Sequence, residues 1–325
     1  MKKKLIAGFA AAAAIVAVTA TPAFANVTVD GTEWSFYGSF DFGVDQFGQE
    51  ENGVPHGAYS GDGFKLVLDD PDFPGNDLNF DCAGSTQTTQ ADGDAILDCD
   101  NPSALLGGDL SWDADITVFS GDYRGIVGRM VYTLTNTTNA DLTLDLRFDA
   151  DTEECDSGSG NIATSSGDLT TAVGDAWLSC NNNNRAIETM AWGNNWMTSF
   201  AGGDSGCDVC EFKNDNFVLA ANSSVNLVFF LYSEGSTNNG ATNGDTDANI
   251  IANATSYFDV TTLGTSRLWE DLTTAENWDL SSGAPSSEDP TLPNTGVDAS
   301  GLLLAAAALI GLGAVIVIRR RSAQA

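Results

Sequence analysis

Two tryptophans set among amides, Trp192-Gly193-Asn194-Asn195-Trp196, form the segment best equipped to hold a ligand. Indoles stack on the C–H face of a sugar ring, and asparagines pair with its hydroxyls. Trp192 and Trp196 are therefore the candidate ligand contacts, with core packing as the competing use of the same side chains. Catalytic chemistry is harder to assemble. His56, in Gly53-Val54-Pro55-His56-Gly57, is the only histidine, which excludes HExxH and His-rich metal sites, and no G-x-S-x-G elbow accompanies it. It reads as a solvated loop residue. Glycoside hydrolysis needs only two carboxylates. A chain with 45 acidic residues contains such pairs in any case, so their presence carries no information. No catalytic residue is assigned.

Asp149-Ala150-Asp151-Thr152-Glu153, Asp245-Thr246-Asp247-Ala248-Asn249 and Asp69-Asp70-Pro71-Asp72 are candidate cation clusters. None completes an EF-hand loop, because the sixth positions after Asp149 and Asp245 are Glu154 and Ile250 instead of Gly. Structural Ca²⁺ held by alternate carboxylates and a solvated acidic coat are the two readings. The scarcity of lysine, with only Lys65 and Lys213 between residues 26 and 295, favours the coat. No other cofactor is expected.

The two ends carry sorting information. Lys2 to Lys4 precede an apolar run from Leu5 to Val18 and the segment Thr21-Pro22-Ala23-Phe24-Ala25. A basic start, an apolar stretch and an A-x-A ending are the three parts of a secretory signal peptide, so residues 1–25 are expected to be removed by signal peptidase. At the other end stand Leu292-Pro293-Asn294-Thr295-Gly296, then Gly301 to Ile318 without a charged side chain, then Arg319, Arg320 and Arg321 in the closing tail, residues 319–325. The apolar run makes about 27 Å of helix at about 1.5 Å per residue, enough for a bilayer core, and the arginines hold its end in the cytoplasm.

This ending resembles the cell-wall sorting signal of LPXTG-type surface proteins of Gram-positive bacteria. The resemblance implies that a sortase cysteine attacks the Thr295 carbonyl, releases Gly296 onward and passes the chain to an amino group of a peptidoglycan precursor. Leu292 offers an apolar anchor, Pro293 fixes φ, Asn294 is the variable position, and Gly296 removes a Cβ from the nucleophile's approach. The resemblance is confined to this segment.

Removal of both ends leaves about 270 residues, ample for a core, with 7 basic and 44 acidic residues, a net charge of −37. Such a field repels nucleic acid and anionic lipid, so both are poor partners and no nucleic acid is expected. All six cysteines, Cys82, Cys99, Cys155, Cys180, Cys207 and Cys210, lie in the exported part, where an even count reads as disulfides. Of the 15 pairings six cysteines permit, nearest neighbours (82–99, 155–180, 207–210) are expected, each closing a Gly/Asn/Asp-rich loop.

The elements that must position these residues are overwhelmingly strands. Leu142, Leu144, Leu146 and Phe148 alternate strictly, and Gly125 to Leu134 is expected to pair with them in a hairpin around Asn136 to Asp141. Val225 to Tyr232 is almost continuously apolar, which predicts a central strand covered on both faces. Trp112, Trp177 and Trp269 read as core. Residues 248–260 and 265–279 are expected as helices, the second with Leu268, Leu272, Ala275 and Trp278 on one face. The fold class is thus all-β: an antiparallel β-sandwich ectodomain over residues 26–280 with one or two short helices near its end, between an N-terminal signal helix and a C-terminal transmembrane helix at 301–318. Residues 281–291 read as a flexible linker spanning at most about 36 Å, which keeps the body within or close to the wall.

The expected role is a non-enzymatic structural or adhesive module with an extracellular glycan or protein ligand. The alternative is a wall-associated carbohydrate-active enzyme or carbohydrate-binding module. Thr295→Ala is expected to leave the chain in the membrane fraction, whereas the unaltered chain is released only when the wall is digested. Immunoblots of the two fractions test this, and equal wall recovery of the variant would refute the assigned cleavage.

Overall fold

The computed structural model describes residues 25–37, 41–46, 64–69, 77–80, 82–150, 161–167, 169, 171–181, 186–201, 210–241 and 244–280. The strands in chain order are β1 (Ala25–Val29), β2 (Thr32–Tyr37), β3 (Asp41–Gln46), β4 (Phe64–Asp69), β5 (Asp77–Asn79), β6 (Cys82–Thr89), β7 (Ala95–Pro102), β8 (Leu110–Phe119), β9 (Val127–Asn136), β10 (Leu142–Ala150), β11 (Asn161–Thr164), β12 (Trp177–Asn181), β13 (Ala186–Ala191), β14 (Ser199–Ala201), β15 (Cys210–Leu219) and β16 (Ser224–Gly235). Two α-helices follow, α1 (Asp247–Tyr257) and α2 (Val260–Leu263). The expected signal peptide up to Phe24 and residues 281–325 lie outside the described residues. Among the described residues no helix is long and apolar enough to cross a membrane.

The strands form two antiparallel sheets. Sheet one runs β1-β2-β3-β4-β10-β15-β14, with β5 also on β4, and sheet two runs β11-β12-β13-β16-β9-β8-β7-β6. Alternation explains which faces meet. On β8, Leu110, Trp112, Ala114, Ile116 and Val118 are buried; on β10, Leu144, Leu146 and Phe148 are. These rows face each other across one core: Phe148 of sheet one stacks on Phe229 of sheet two with centroids 4.2 Å apart, and the Leu66 amide donates to the Tyr132 hydroxyl at 3.4 Å. Phe80 packs edge-on against Trp112 and Tyr132. Trp112, Trp177 and Trp269 are buried as expected.

The hairpin expected around Asn136 to Asp141 is not formed. β9 pairs with β8 and β16 in sheet two, whereas β10 pairs with β4 and β15 in sheet one. The connection is an arch from one sheet to the other, and the loop from β15 to β16 makes the return arch beside it. Asn136 ties the two: its Nδ2 donates to the carbonyls of Ala140, Leu219 and Ala220 at 2.8, 2.9 and 3.1 Å, and its Oδ1 accepts from the Thr138 amide at 2.8 Å. One buried amide thereby satisfies backbone groups that a two-stranded hairpin would have paired with each other.

β16 is central and buried on both faces, as its apolar run predicts. The inner face meets sheet one. The outer face is covered by the chain's last described segment, through Phe258 and Trp278 against Phe230 and Tyr257 against Tyr232. Helix α1 matches the first expected helix. The second, at 265–279, is overturned: after α2 there is one 3-10 turn, Arg267–Trp269, and then irregular chain. Leu268, Trp269, Ala275 and Trp278 are buried, but by lying across sheet two instead of sharing a helical stripe. The turn stops at Glu270, whose ψ of 140° is extended, and Asp271 at φ +66° follows it out of any helix.

Glu276 to Trp278 occupy the place of a strand beside β16. β13 pairs with β16 only from Phe230 onward. Before that point the Glu276 amide donates to the Asn226 carbonyl at 2.8 Å. The Asn277 side chain accepts from the Val228 amide at 2.9 Å and donates to the Val228 and Trp192 carbonyls at 2.6 and 2.8 Å. Asn277→Ala leaves these buried groups short of partners and is expected to destabilise the body by about 2–4 kcal/mol. Urea unfolding of the two proteins measures this, and a loss under about 1 kcal/mol would contradict the assigned role.

Candidate functional site

Trp192 and Trp196 are not ligand contacts. Their residue exposures are 0% and 2%. The Trp192 indole N–H donates to the Asp175 carbonyl at 2.7 Å, and its ring stacks on Phe212 at 3.9 Å. The Trp196 N–H donates to the Phe212 carbonyl at 2.8 Å while its ring meets Phe229 edge-on. The asparagines between them serve the C-terminal segment. Asn194 exchanges two hydrogen bonds with the Asp279 backbone, at 3.1 and 2.8 Å, and Asn195 Nδ2 donates to the Glu276 carbonyl at 3.0 Å. Gly193 is required at φ +96°, since a Cβ there would lie 2.1 Å from the Asn277 carbonyl oxygen. The amphipathic composition that suits a sugar ring is used here to clasp the chain's own tail.

Cys82 and Cys99 are joined, with Cα atoms 5.6 Å apart, across the β6–β7 hairpin. Cys180 and Cys210 are also disulfide-bonded and buried. Cys155 and Cys207 lie outside the described residues, as do His56 and the sorting residues Leu292, Pro293, Asn294, Thr295 and Gly296.

Among the described residues no group of three or more His, Cys, Asp or Glu is placed to hold a metal ion. The described carboxylates of the candidate cation clusters have protein partners. Asp149 receives Arg147 Nε on both oxygens, at 2.9 and 3.0 Å, and Asp69 receives Arg147 Nη1 at 2.7 Å. Asp245 caps its own turn, accepting from the Thr246 amide at 2.7 Å and Asn249 Nδ2 at 2.6 Å. Asp70, Asp72, Asp151 and Glu153 lie outside the described residues.

What the sequence does not announce is a cleft of about 320 Å³ on the outer face of sheet two. Its walls are the β6–β7 turn, Gln90 to Asp94, and Glu270–Asp271 of the C-terminal segment; its floor is Thr117, Phe119 and Arg129. Arg129 is 7% exposed. Its Nη1 donates to the Leu268 and Glu270 carbonyls, both at 2.9 Å, its Nη2 reaches Thr117 Oγ1 at 3.4 Å, and its Nε has no acceptor among the described residues. The guanidinium lies 5.3 Å from the Phe119 ring centre. Arg267 approaches the same ring at 6.0 Å and latches the tail to the hairpin turn, meeting Asp94 at 2.5 Å, Asp92 at 2.9 Å and the Ser120 carbonyl at 2.9 Å. The one sequence signal for this site is an arginine, Arg129, near the start of the largely apolar strand β9.

Beside the cleft, Asp115 of β8 stands directly opposite Asp98 of β7. Burial pushes its carboxyl up to about 6, Arg129 opposes this, and Asp98 and Asp113 add to it. Folded Asp115 therefore holds its proton more tightly than the unfolded chain does, so stability falls as pH rises from about 4 to about 6 and the loss is complete above that range. Asp115→Asn removes the penalty. At pH 7 the variant is expected to gain up to about 3 kcal/mol, and below about pH 4 to match the unaltered protein. Thermal unfolding between pH 3.5 and 8 tests this, and a gain independent of pH would contradict it.

Among solved structures, the chain is similar to a protein assigned as an aldose 1-epimerase of Klebsiella pneumoniae subsp. pneumoniae, at TM-score 0.42 and 8% identity, covering 70% of this chain and 81% of that one. A protein of the same assignment from Escherichia coli K12 matches at TM-score 0.39 and 8% identity, over 66% and 99% of the two chains. A protein assigned as a kojibiose phosphorylase from the human microbiome matches at TM-score 0.35 and 9% identity, over 74% of this chain and only 31% of that one. Likeness at this level carries no inference about activity. No curated protein matches the chain. Residues 284–322 match the family model of the LPXTG cell wall anchor motif, and the chain is accordingly a cell-wall-anchored surface protein displayed by the LPXTG route.

Proposed function

We propose that the body is a non-enzymatic structural or adhesive module, cleaved between Thr295 and Gly296 and joined there to peptidoglycan. The observation that carries this reading is how the last described segment, residues 247–280, is held. Residues 247–280 are built into sheet two through Asn277 and Arg267, so the chain leading to the anchor ends in a buried, hydrogen-bonded segment. Wall attachment loads that segment, and a display module benefits from having it locked.

The buried acids also support a structural use. Glu234 is held by Arg124 and by the Tyr232 hydroxyl, both at 2.5 Å. Asp175 accepts from the Ser166 and Ala172 amides at 3.0 and 2.8 Å. Asp94 Oδ1 already accepts from the Ser120 amide, the Ser120 hydroxyl and Arg267. An oxygen receiving three donors is poorly placed to take or give a proton in the way a hydrolase acid must. Purified residues 26–295, incubated with wall fragments and with a panel of oligosaccharides, are expected to release no reducing ends while retaining bound glycan or protein on an array. Turnover that disappears on changing the cleft carboxylates would establish the enzyme alternative.

A further inference from the structure

We propose that the cleft between the Gln90–Asp94 turn and Glu270–Asp271 binds an uncharged, hydroxyl-rich ligand, one hexose-sized unit at the end of a glycan. This rests on the adhesive reading of the body and gives it a location. The volume of about 320 Å³ is at the small end of ligand sites, which suits a single ring better than a chain.

Charge selects the ligand class. The floor is a fixed guanidinium: Arg129 is pinned by two main-chain carbonyls and by Thr117, with the charges of Asp115, Asp271, Asp94 and Glu270 acting on it. The walls carry acids. Asp94 and Asp92 are engaged by Arg267, whereas Glu270 and Asp271 are exposed. An anion drawn to Arg129 meets Glu270 and Asp271 on the wall, and a cation drawn to those acids meets Arg129 on the floor. A neutral polyol meets neither penalty. Each hydroxyl both donates and accepts, so it can give its proton to Glu270 or Asp271 and present its oxygen to the electropositive floor. The Gln90 amide, in the lining, offers both kinds of group. A purely apolar ligand is disfavoured, because it would strip water from these groups without replacing its hydrogen bonds.

The site is also assembled from four parts of the chain: the hairpin turn, the end of β8, the start of β9 and the tail segment. Arg267 holds the tail wall against the turn wall, so the opening has a set width. Preorganisation of this kind lowers the ordering cost of binding a small ligand.

The test uses residues 26–295 and titration calorimetry with methyl glucoside and N-acetylglucosamine as uncharged probes, against glucuronate and glucosamine as anionic and cationic ones. At least one uncharged probe is expected to saturate with Kd on the order of 1 mM, with the charged counterparts at least tenfold weaker. Ala91→Trp, at the exposed turn, fills the cleft and is expected to abolish binding without changing Tm. Glu270→Lys is expected to weaken it at least tenfold. Failure of both uncharged probes to saturate overturns the proposal, as does tighter binding of either charged probe. Saturation that survives both Ala91→Trp and Glu270→Lys overturns the cleft and leaves the adhesive reading standing. Cleft binding together with an empty adhesion array counts against the adhesive reading alone.

Discussion

Val228 stands in the middle of an eight-stranded sheet, yet on one side its backbone is paired with a side chain. β13 reaches only as far as Phe230, so the first half of β16 would present bare amides and carbonyls inside the protein. The carboxamide of Asn277 has the donor and acceptor of a peptide group and supplies both to one residue. Much of the body follows from this substitution. It draws the tail across sheet two, which lets Phe258, Trp269 and Trp278 bury the outer face of β16. It requires glycine at 193, and it gives the Trp192–Trp196 segment its purpose, since both asparagines there hold the tail backbone. The last described residues before the anchor segment are therefore part of the core's hydrogen bonding.

Charge is organised with similar economy. Few basic residues remain in a body that carries 44 acids, and the arginines of the described residues are each committed: Arg124 to Glu234, Arg147 to Asp69 and Asp149, Arg267 to Asp92 and Asp94, Arg129 to the tail's carbonyls. Carboxylates outnumber these cations several-fold. That excess keeps anionic polymers at a distance, and it makes the cleft, where two guanidiniums approach one phenylalanine, electrostatically unlike its surroundings.

The strands were legible because burial on one face imposes a period of two, as along Leu142 to Phe148. The continuous run in β16 announced cover on both faces. The same alternation, however, serves two topologies. Strands joined as a hairpin put their apolar rows on one face of one sheet; strands joined as an arch put them face to face across the core. Five loop residues after Asn136 allow either, and the choice depends on Leu219 and Ala220, some 80 residues away. The second expected helix failed for a related reason. Apolar spacing at 268, 272, 275 and 278 reports burial, and an irregular segment pinned at Asn277 buries the same side chains. The tryptophan pair failed because an indole flanked by amides is equally suited to a sugar and to a peptide backbone.

The sequence by itself determined the protein's address. The LPXTG anchor at 284–322 is a linear signal, read by its order of motif, apolar run and arginines, so no tertiary contact is needed to recognise it. The predominance of strands was equally local, being a matter of period and turn residues. Only the tertiary structure decided which sheet each strand joined, what Trp192 and Trp196 were for, and that Arg129 would floor a cleft walled by residues near 92 and 270. Those outcomes rest on hydrogen bonds between positions from 12 to 173 residues apart, whose partners become neighbours only in the folded sheets.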